Sequence, residues 1–343
     1  MTIGRSADID RFLASVGWAG AVHATLAEDA SFRRYERVTM ADDRAVLMDA
    51  PPGREDVRPF MRIAHKLAAL GFSAPRILAA DEKAGFLLLE DLGDATFARL
   101  LDAGEAPEPL YRLATDVLID LHGKPVDDVV PPGVDTYSDE LFVAEAELLA
   151  QWYIPAVSGG DNAGRTVADR SLKEYRDMWM RLLPLARRVP ETLVLRDFHV
   201  DNLIRLDGRD GASACGLLDF QDAVAGPVTY DFISMVEDAR RDVDDGLTAA
   251  LRDRYLAAFP SVDAAAFDIS CAILGAQRHC KVLGIFTRLR DRDGKDGYLH
   301  HVPRLWRLLE RSAGHPALAP LRDWLDVNIP APMRIVPPPR SVG

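Results

Sequence analysis

Three polar residues stand at the ends of apolar runs within residues 193–219. The sequence LVLRDFHVDNLIRL places Asp197 five residues before Asn202, which is one of only three asparagines in the chain. The continuation, NLIRLDGRDGASACGLLDF, has two apolar segments separated by the turn-forming DGRDG, which predicts a β-hairpin. Folding that hairpin back brings Asn202 beside Asp219. The spacing therefore predicts a site that combines an amide oxygen with a carboxylate.

Oxygen donors of this kind suit Mg²⁺, which binds few protein groups and takes its remaining ligands from water and phosphates. Asp197 lies on the segment that enters the hairpin. There its carboxylate can accept the proton of an attacking hydroxyl group while a metal ion neutralises charge on a phosphoryl group. The three residues together predict phosphoryl transfer.

The periodicity of apolar residues predicts the elements that position these side chains. Residues 34–50 alternate in character around the turn-like ADD, and PRILAADEKAGFLLLEDLG has the pattern of a second β-hairpin. Between the two hairpins, residues 56–70 carry apolar residues at helical spacing, and Gly71 follows as a C-cap. The later segments are predicted as helices at 94–103, 107–122, 138–153 and 166–187, a strand pair at 192–219, and further helices from about 229 to 328.

This order of elements predicts an α+β fold with two domains. We predict a β-rich N-terminal domain over residues 1–92 and a mostly helical C-terminal domain over residues 93–329, with the hinge near residues 90–94. Residues 330–343 are rich in proline, and we expect them to be disordered.

Composition limits the classes of partner. The chain of 343 residues is 48% hydrophobic and carries a net charge of −12, and it has no basic tract, so we expect neither nucleic acid nor membrane as a partner. Three cysteines are too few for a disulfide framework, and the N-terminus lacks the continuous apolar core of a signal peptide. We expect a cytoplasmic monomer that acts on small molecules.

The motifs LRDFHVDNL and LLDFQDA resemble the catalytic and metal-binding segments of the aminoglycoside phosphotransferase and choline kinase family, a bilobal branch of the protein-kinase-like fold. The resemblance implies that Asp197 is the catalytic aspartate and that Asn202 and Asp219 are Mg²⁺ ligands. GPVTYDF resembles another motif of the family and implies that Asp231 braces the catalytic loop. Asp197 and Asn202 could alternatively just shape a turn. The joint pattern with Asp219 and Asp231 favours the catalytic interpretation.

Within the family, DASFRRYERV, VLMDAPPGREDVRPF and QRHCKVLGIFTRLRDRDGK are most similar to the bacterial anomeric kinases of N-acetylmuramate and N-acetylglucosamine, which serve cell-wall recycling. This resemblance implies ATP and Mg²⁺ as cofactors and an amino sugar as the acceptor. It also implies that the phosphoryl group is transferred to the C1 hydroxyl.

The nucleotide site departs from the family pattern. The second strand offers Met48 where the family has a phosphate-anchoring lysine. Phosphate charge would then have to be met by Mg²⁺, by backbone amides of DASFRR, and by Arg33 or Arg34; the sequence does not decide which arginine, if either, takes part. An open backbone at the hinge would suit adenine. The expected nucleotide contacts are Ser31, Phe32, Arg33, Arg34, Glu90 and Leu92.

Substrate contacts are less explicit in the sequence. Glu145 and Trp152 are seven residues apart, which places them near one helical face, where a carboxylate and an aromatic ring would suit a sugar; an ordinary amphipathic helix is an equal alternative. Gln221 follows Asp219 by two residues and should reach the substrate. We expect two further contacts, from Asp201 and from Arg278.

Two alternative functions remain. A phosphotransferase for an aminoglycoside would need an acidic pocket, and one for choline would need an aromatic cage. A nucleotide-binding pseudokinase that regulates a partner is suggested by Met48. The three catalytic positions Asp197, Asn202 and Asp219 argue against a pseudokinase.

Overall fold

The computed structural model describes residues 3–28, 32–158 and 167–339, and the chain forms two compact units. Unit 1 contains residues 1–120, 127–132 and 200–223, and unit 2 contains residues 121–126, 133–199 and 224–343. Within the described ranges, no helix combines the length and the apolar character needed to cross a membrane. The predicted domain limits at residues 92 and 329 stay a prediction.

The described residues form strands and helices in an order close to the predicted one. The strands are β1 (Val22–Glu28), β2 (Arg34–Met40), β3 (Asp43–Asp49), β4 (Ile77–Asp81), β5 (Phe86–Glu90), β6 (Glu191–Val194), β7 (Leu203–Arg205), β8 (Cys215–Leu217) and β9 (Val224–Pro227). The α-helices are α1 (Ile3–Ser15), α2 (Val57–Ala69), α3 (Phe97–Asp102), α4 (Pro107–His122), α5 (Val126–Val129), α6 (Asp139–Ala146), α7 (Ile154–Val157), α8 (Asp169–Ala186), α9 (Thr229–Val236), α10 (Asp245–Ala258), α11 (Ala264–Asp293), α12 (Val302–Ala313) and α13 (Ala319–Asn328).

Unit 1 is built on an antiparallel sheet with the strand order β1-β2-β3-β5-β4. Helix α1 packs against one face of this sheet, where Phe12 stacks on Phe86 and shares a buried apolar cluster with Val38 and Leu47. Side chains alternate between the two faces of a strand, so Met48 and its cross-strand neighbour Tyr35 lie on the opposite face. The two predicted hairpins, β2–β3 and β4–β5, are confirmed, whereas α1 and β1 were not predicted.

Helix α2 begins at the side chain of Asp56, which accepts a hydrogen bond of 2.9 Å from the Arg58 N–H. It ends before Gly71, whose φ of +89° favours glycine. Phe60 on its buried face stacks against Phe220 at 5.0 Å between ring centroids. Because Phe220 follows Asp219 directly, this contact fixes the backbone of a predicted metal ligand.

The predicted hairpin after Asn202 is confirmed as β7–β8, with Leu203 opposite Leu217. A hydrogen bond of 2.9 Å from the Leu218 N–H to the Asn202 carbonyl extends the pairing by one step. Two backbone bonds attach the hairpin to the rest of unit 1: the Leu217 N–H donates to the Ser73 carbonyl, and the Arg205 N–H donates to the Ala95 carbonyl, each at 2.9 Å. The hairpin therefore brings Asn202 next to Asp219, as the sequence predicts.

Unit 2 is mostly helical and is organised around α11, a helix of 30 residues whose middle is buried. At Gly284 an added Cβ atom would lie 2.4 Å from the Leu148 carbonyl oxygen, so α11 approaches the neighbouring backbone directly. In the tail, the Tyr153 hydroxyl contacts the carbonyl oxygens of Met333 and Ile335 at 2.9 and 2.7 Å. Further along the tail, Arg290 Nη1 donates a hydrogen bond of 2.7 Å to the Pro338 carbonyl oxygen. The predicted disorder of residues 330–343 stays a prediction.

Candidate functional site

In unit 1, Asn202 and Asp219 lie side by side at the open end of the β7–β8 hairpin. The Asn202 amide nitrogen is 3.4 Å from an Asp219 carboxylate oxygen, and turning the amide over would present its oxygen instead. Asp219 has a φ of +57°, a left-handed conformation that is costly for a residue with a Cβ atom. Two hard oxygen donors at this separation fit the requirements of a Mg²⁺ ion.

Gln221 and Arg33 surround the Asp219 carboxylate. The Gln221 amide nitrogen donates a hydrogen bond of 2.7 Å to Asp219 Oδ1, so Gln221 positions a predicted metal ligand. Arg33 Nη2 lies 3.8 Å from the same oxygen, and Arg33 Nε lies 3.9 Å from Glu55 Oε2. A cavity of about 510 Å³ opens beside these groups and is lined by Arg33, Glu55, Gln221 and five further residues. Arg33, a cation beside the predicted metal ligand Asp219, thus faces a space large enough for a phosphate group.

The structure distinguishes between the two adjacent arginines. Arg33 is only 9% exposed and contacts Asp219 and Glu55. Arg34 begins β2, is exposed, and lies opposite Asp49 in the register. Since neighbouring side chains of an extended chain point to opposite faces, only Arg33 is directed to the face that carries Met48.

The other expected nucleotide contacts differ in their surroundings. The Phe32 ring is exposed and lies under the Arg54 guanidinium at 4.5 Å, while Ser31 lies outside the described residues. The Glu90 N–H donates to the Arg76 carbonyl at 2.8 Å, and the contact of the hinge backbone with adenine stays a prediction. The Leu92 side chain approaches Gly216 of β8, where an added Cβ atom would meet it at 3.0 Å.

In unit 2, the loop that carries Asp197 is held by Asp231. The Asp231 carboxylate accepts hydrogen bonds from the backbone N–H groups of Leu195 and Arg196, at 2.6 and 2.9 Å. Burial raises the pKa of Asp231 to about 7, against the effect of these two donors. Arg196 has a φ of +71°, so the residue before Asp197 is also in a left-handed conformation. Leu195 is itself buried.

Asp197 is surrounded by basic side chains. Burial raises its pKa, but His199, Lys281, Arg278 and Arg196 together outweigh that effect and hold the pKa below its ordinary value. Burial also lowers the pKa of His199 to about 4, so the permanent positive charges come from the lysine and the two arginines. Asp197 is therefore ionised at neutral pH, which is the state required of a proton acceptor.

Glu145 lies in the same cluster, where it contacts other protein side chains. It forms ion pairs with Arg196 and with Lys281, the latter at 2.9 Å, and accepts a hydrogen bond from the Tyr137 hydroxyl. Trp152 lies in a π-helical segment, Leu149–Tyr153, that follows α6. The change from α- to π-helix alters the spacing on which we placed Glu145 and Trp152 on one face, so their contact with a sugar stays a prediction.

Sequence reasoning did not identify Asp238 and Arg240. Asp238 is fully buried, and its Oδ1 accepts a hydrogen bond of 3.0 Å from Arg240, which also approaches His199 at 3.4 Å. Their sequence, EDARRDVDD, has the composition of an ordinary exposed loop, and only the fold brings it to the residues around Asp197. Asp201 is half-buried in the turn before β7, and Arg278 is 5% exposed in the middle of α11.

Comparisons with known proteins agree with this geometry. Residues 23–265 match the phosphotransferase enzyme family, APH. The N-acetylmuramate/N-acetylglucosamine kinase of Caulobacter vibrioides is 35% identical over 94% of this chain and 96% of that protein, and the kinase of the same name from Pseudomonas aeruginosa is 38% identical over 90% of each. A choline/ethanolamine kinase family protein from Mesorhizobium loti has a similar crystal structure, with a TM-score of 0.61 and 12% identity over 94% of this chain and 99% of that one. This likeness confirms the predicted α+β, protein-kinase-like fold. The chain therefore belongs to the phosphotransferase enzyme family and is an enzyme that transfers a phosphoryl group.

Proposed function

We propose that the protein is an ATP-dependent sugar kinase that phosphorylates the anomeric (C1) hydroxyl group of N-acetylmuramate and N-acetylglucosamine. The observation that carries the proposal is the loop of Asp197, which Asp231 fixes by two backbone hydrogen bonds, in a chain whose relatives of that name match it nearly end to end. The product, a sugar 1-phosphate, would serve the recycling of cell-wall sugars in the cytoplasm.

In this proposal Asp197 accepts the proton of the attacking hydroxyl group. A carboxylate is a weak base, and the anomeric hydroxyl is more acidic than the other hydroxyl groups of a sugar. Phosphoryl transfer passes through a loose transition state, in which little proton removal is needed before the new bond forms. The weak base Asp197 is therefore sufficient for the more acidic anomeric hydroxyl, which favours phosphoryl transfer to C1 over transfer to C6.

Asn202 and Asp219 are the residues that would hold Mg²⁺. When bound, the ion would neutralise charge on the phosphates of ATP. Arg33, beside Asp219, takes the place of the missing strand lysine and binds the same phosphates, while Met48 leaves that strand position apolar. Gln221 holds the Asp219 carboxylate in place by its hydrogen bond.

Product analysis tests the proposal. The protein is incubated with Mg·ATP and each sugar, and the product is examined by phosphorus and proton NMR. We expect loss of the reducing end and coupling of phosphorus to the C1 proton, with the geometry of the α-1-phosphate. Phosphate on C6, or turnover only with aminoglycosides or choline, would contradict the proposal.

A further inference from the structure

Arg278 in the middle of α11 is a buried cation with an unfilled donor. Its side chain is 5% exposed, and its Nη1 atom is buried without a hydrogen-bond partner in the described part of the chain. A guanidinium group carries five N–H donors and keeps its charge at every physiological pH. It therefore cannot avoid the free-energy cost of burying a charge by losing a proton. Arginine is almost never buried this deeply without a partner.

The carboxylates around Arg278 already have other partners. Asp238 pairs with Arg240 at 3.0 Å, and Glu237 pairs with Arg311 at 2.9 Å. Asp231 accepts two backbone hydrogen bonds. The charge of Arg278 lowers the pKa of all three carboxyl groups, which places it near them, yet no ion pair joins it to any of them. The buried Nη1 donor of Arg278 is therefore left without a protein partner among the described residues.

Arg278 also lies near the proposed catalytic base. Its charge is among those that hold the pKa of Asp197 below the ordinary value, and Lys281, one turn further along α11, pairs with Glu145 beside Arg196. Arg278 and Lys281, which lie about one turn apart on α11, therefore both lie near the loop of Asp197. A molecule whose hydroxyl group reaches Asp197 can present a second group to Arg278.

We propose that Arg278 binds the carboxylate of an acidic sugar substrate and is therefore a specificity-determining residue. The inference rests on the proposed function, because N-acetylmuramate differs from N-acetylglucosamine by a lactyl ether that carries a carboxylate. The planar guanidinium matches a carboxylate in charge and geometry, and it forms stronger hydrogen bonds with it than with a neutral hydroxyl group. The neutral sugar leaves the donor of Arg278 unfilled, so binding of the acidic sugar is favoured.

The first experiment uses the wild-type enzyme, so it does not depend on the folding of a variant. Initial rates are measured with N-acetylmuramate and with its neutral carboxamide, in which only the charge of the lactyl group is removed. We expect kcat/KM to be about 10- to 150-fold lower for the carboxamide, the range for a charge-assisted hydrogen bond. Equal values for the two compounds would overturn the inference.

The second experiment compares Arg278→Gln with Arg292→Gln, which removes the same charge from the exposed end of the same helix. We expect Arg278→Gln to lower kcat/KM about 10- to 150-fold more for N-acetylmuramate than for N-acetylglucosamine, and to abolish the distinction between acid and carboxamide. Arg292→Gln should behave as wild type. Equal losses with both sugars would instead assign Arg278 to the transferred phosphoryl group or to the fold.

The two proposals fail in different ways. A wild-type enzyme that phosphorylates neither sugar defeats the proposed function, and the inference falls with it. An enzyme that phosphorylates both sugars at C1 but does not distinguish the acid from its carboxamide defeats the assignment of Arg278 alone.

Discussion

Arg33→Gln tests how the enzyme meets phosphate charge without the strand lysine. Glutamine keeps most of the length and polarity of the side chain but removes the positive charge that lies 3.8 Å from Asp219 and 3.9 Å from Glu55. Two carboxylates would then face the bound nucleotide without this counter-charge. We expect weaker ATP binding and a slower chemical step.

The size of the effect follows from the burial of Arg33. Two unit charges about 4 Å apart interact by roughly 4 kcal/mol at an effective dielectric constant of about 20, which is an upper bound for this pair. Measured hydrogen bonds to charged groups contribute about 1.5–3 kcal/mol, and we adopt that range because Arg33 is only 9% exposed and little screened. The expected loss in kcat/KM for ATP is therefore about 10- to 150-fold.

The assay measures initial rates against ATP concentration at saturating Mg²⁺ and sugar. Arg34→Gln is the matched control, since it removes the same charge from the neighbouring, exposed residue on the other face of the strand. We expect the control to retain at least half of the wild-type kcat/KM. Equal losses in the two variants, or an Arg33→Gln enzyme with unchanged ATP kinetics, would refute the assignment of Arg33.

The remaining predictions concern the base, the metal and one buried acid. Asp197→Asn should lower kcat about 10²- to 10⁴-fold and leave the Kd for ATP within about 3-fold; near-normal turnover would remove Asp197 from the role of base. Asp219→Ala should abolish Mg²⁺-dependent turnover, whereas Asn202→Ala should only raise the Mg²⁺ concentration required, because Asp219 supplies charge and Asn202 a neutral oxygen; activity in excess chelator would contradict both. Burial raises the pKa of Glu237 to about 7, so its stabilising contribution is present below pH 4.5 and is lost as the pH rises through about 7. The stability of Glu237→Gln relative to wild type, from urea unfolding, should improve by up to about 3 kcal/mol between pH 5 and 8, and a constant difference would contradict this.

Much of the fold could be predicted where local periodicity and burial agree. Helix α2 has a strong apolar face with a capping aspartate before it and Gly71 after it, and β2–β3 alternate as expected for a half-buried hairpin. Strand β1 was missed because it is an edge strand with no buried residue over its described side chains, so it has no clear alternation. Helix α1 was missed because Ile9, Phe12 and Leu13 provide only a short apolar stripe.

The candidate site also has residues whose positions could be predicted from the sequence and residues whose positions could not. Asn202 and Asp219 were placed together correctly because a short hairpin joins them, and its turn residues are evident in the sequence. The sequence could not choose between Arg33 and Arg34, because the choice depends on which face of β2 lies next to Asp219. The partners of Glu145 were also not predictable, since Lys281 belongs to a helix far along the chain, and no local rule fixes which of its faces turns inward.

The backbone conformation of two residues explains why local sequence patterns do not predict the geometry of the site. Arg196 and Asp219 have φ values of +71° and +57°, and a conformation of this kind costs about 1–3 kcal/mol where a side chain is present. Ala41, which also has a positive φ, lies in the turn between β2 and β3, where such values are common. Arg196 and Asp219 have no such turn to favour them, and each is held by side-chain hydrogen bonds: the Arg196 N–H by Asp231, and the Asp219 carboxylate by Gln221. Because each of these residues either precedes the proposed base or is itself a proposed metal ligand, the strain is located where the direction of a carboxylate decides whether phosphoryl transfer can occur.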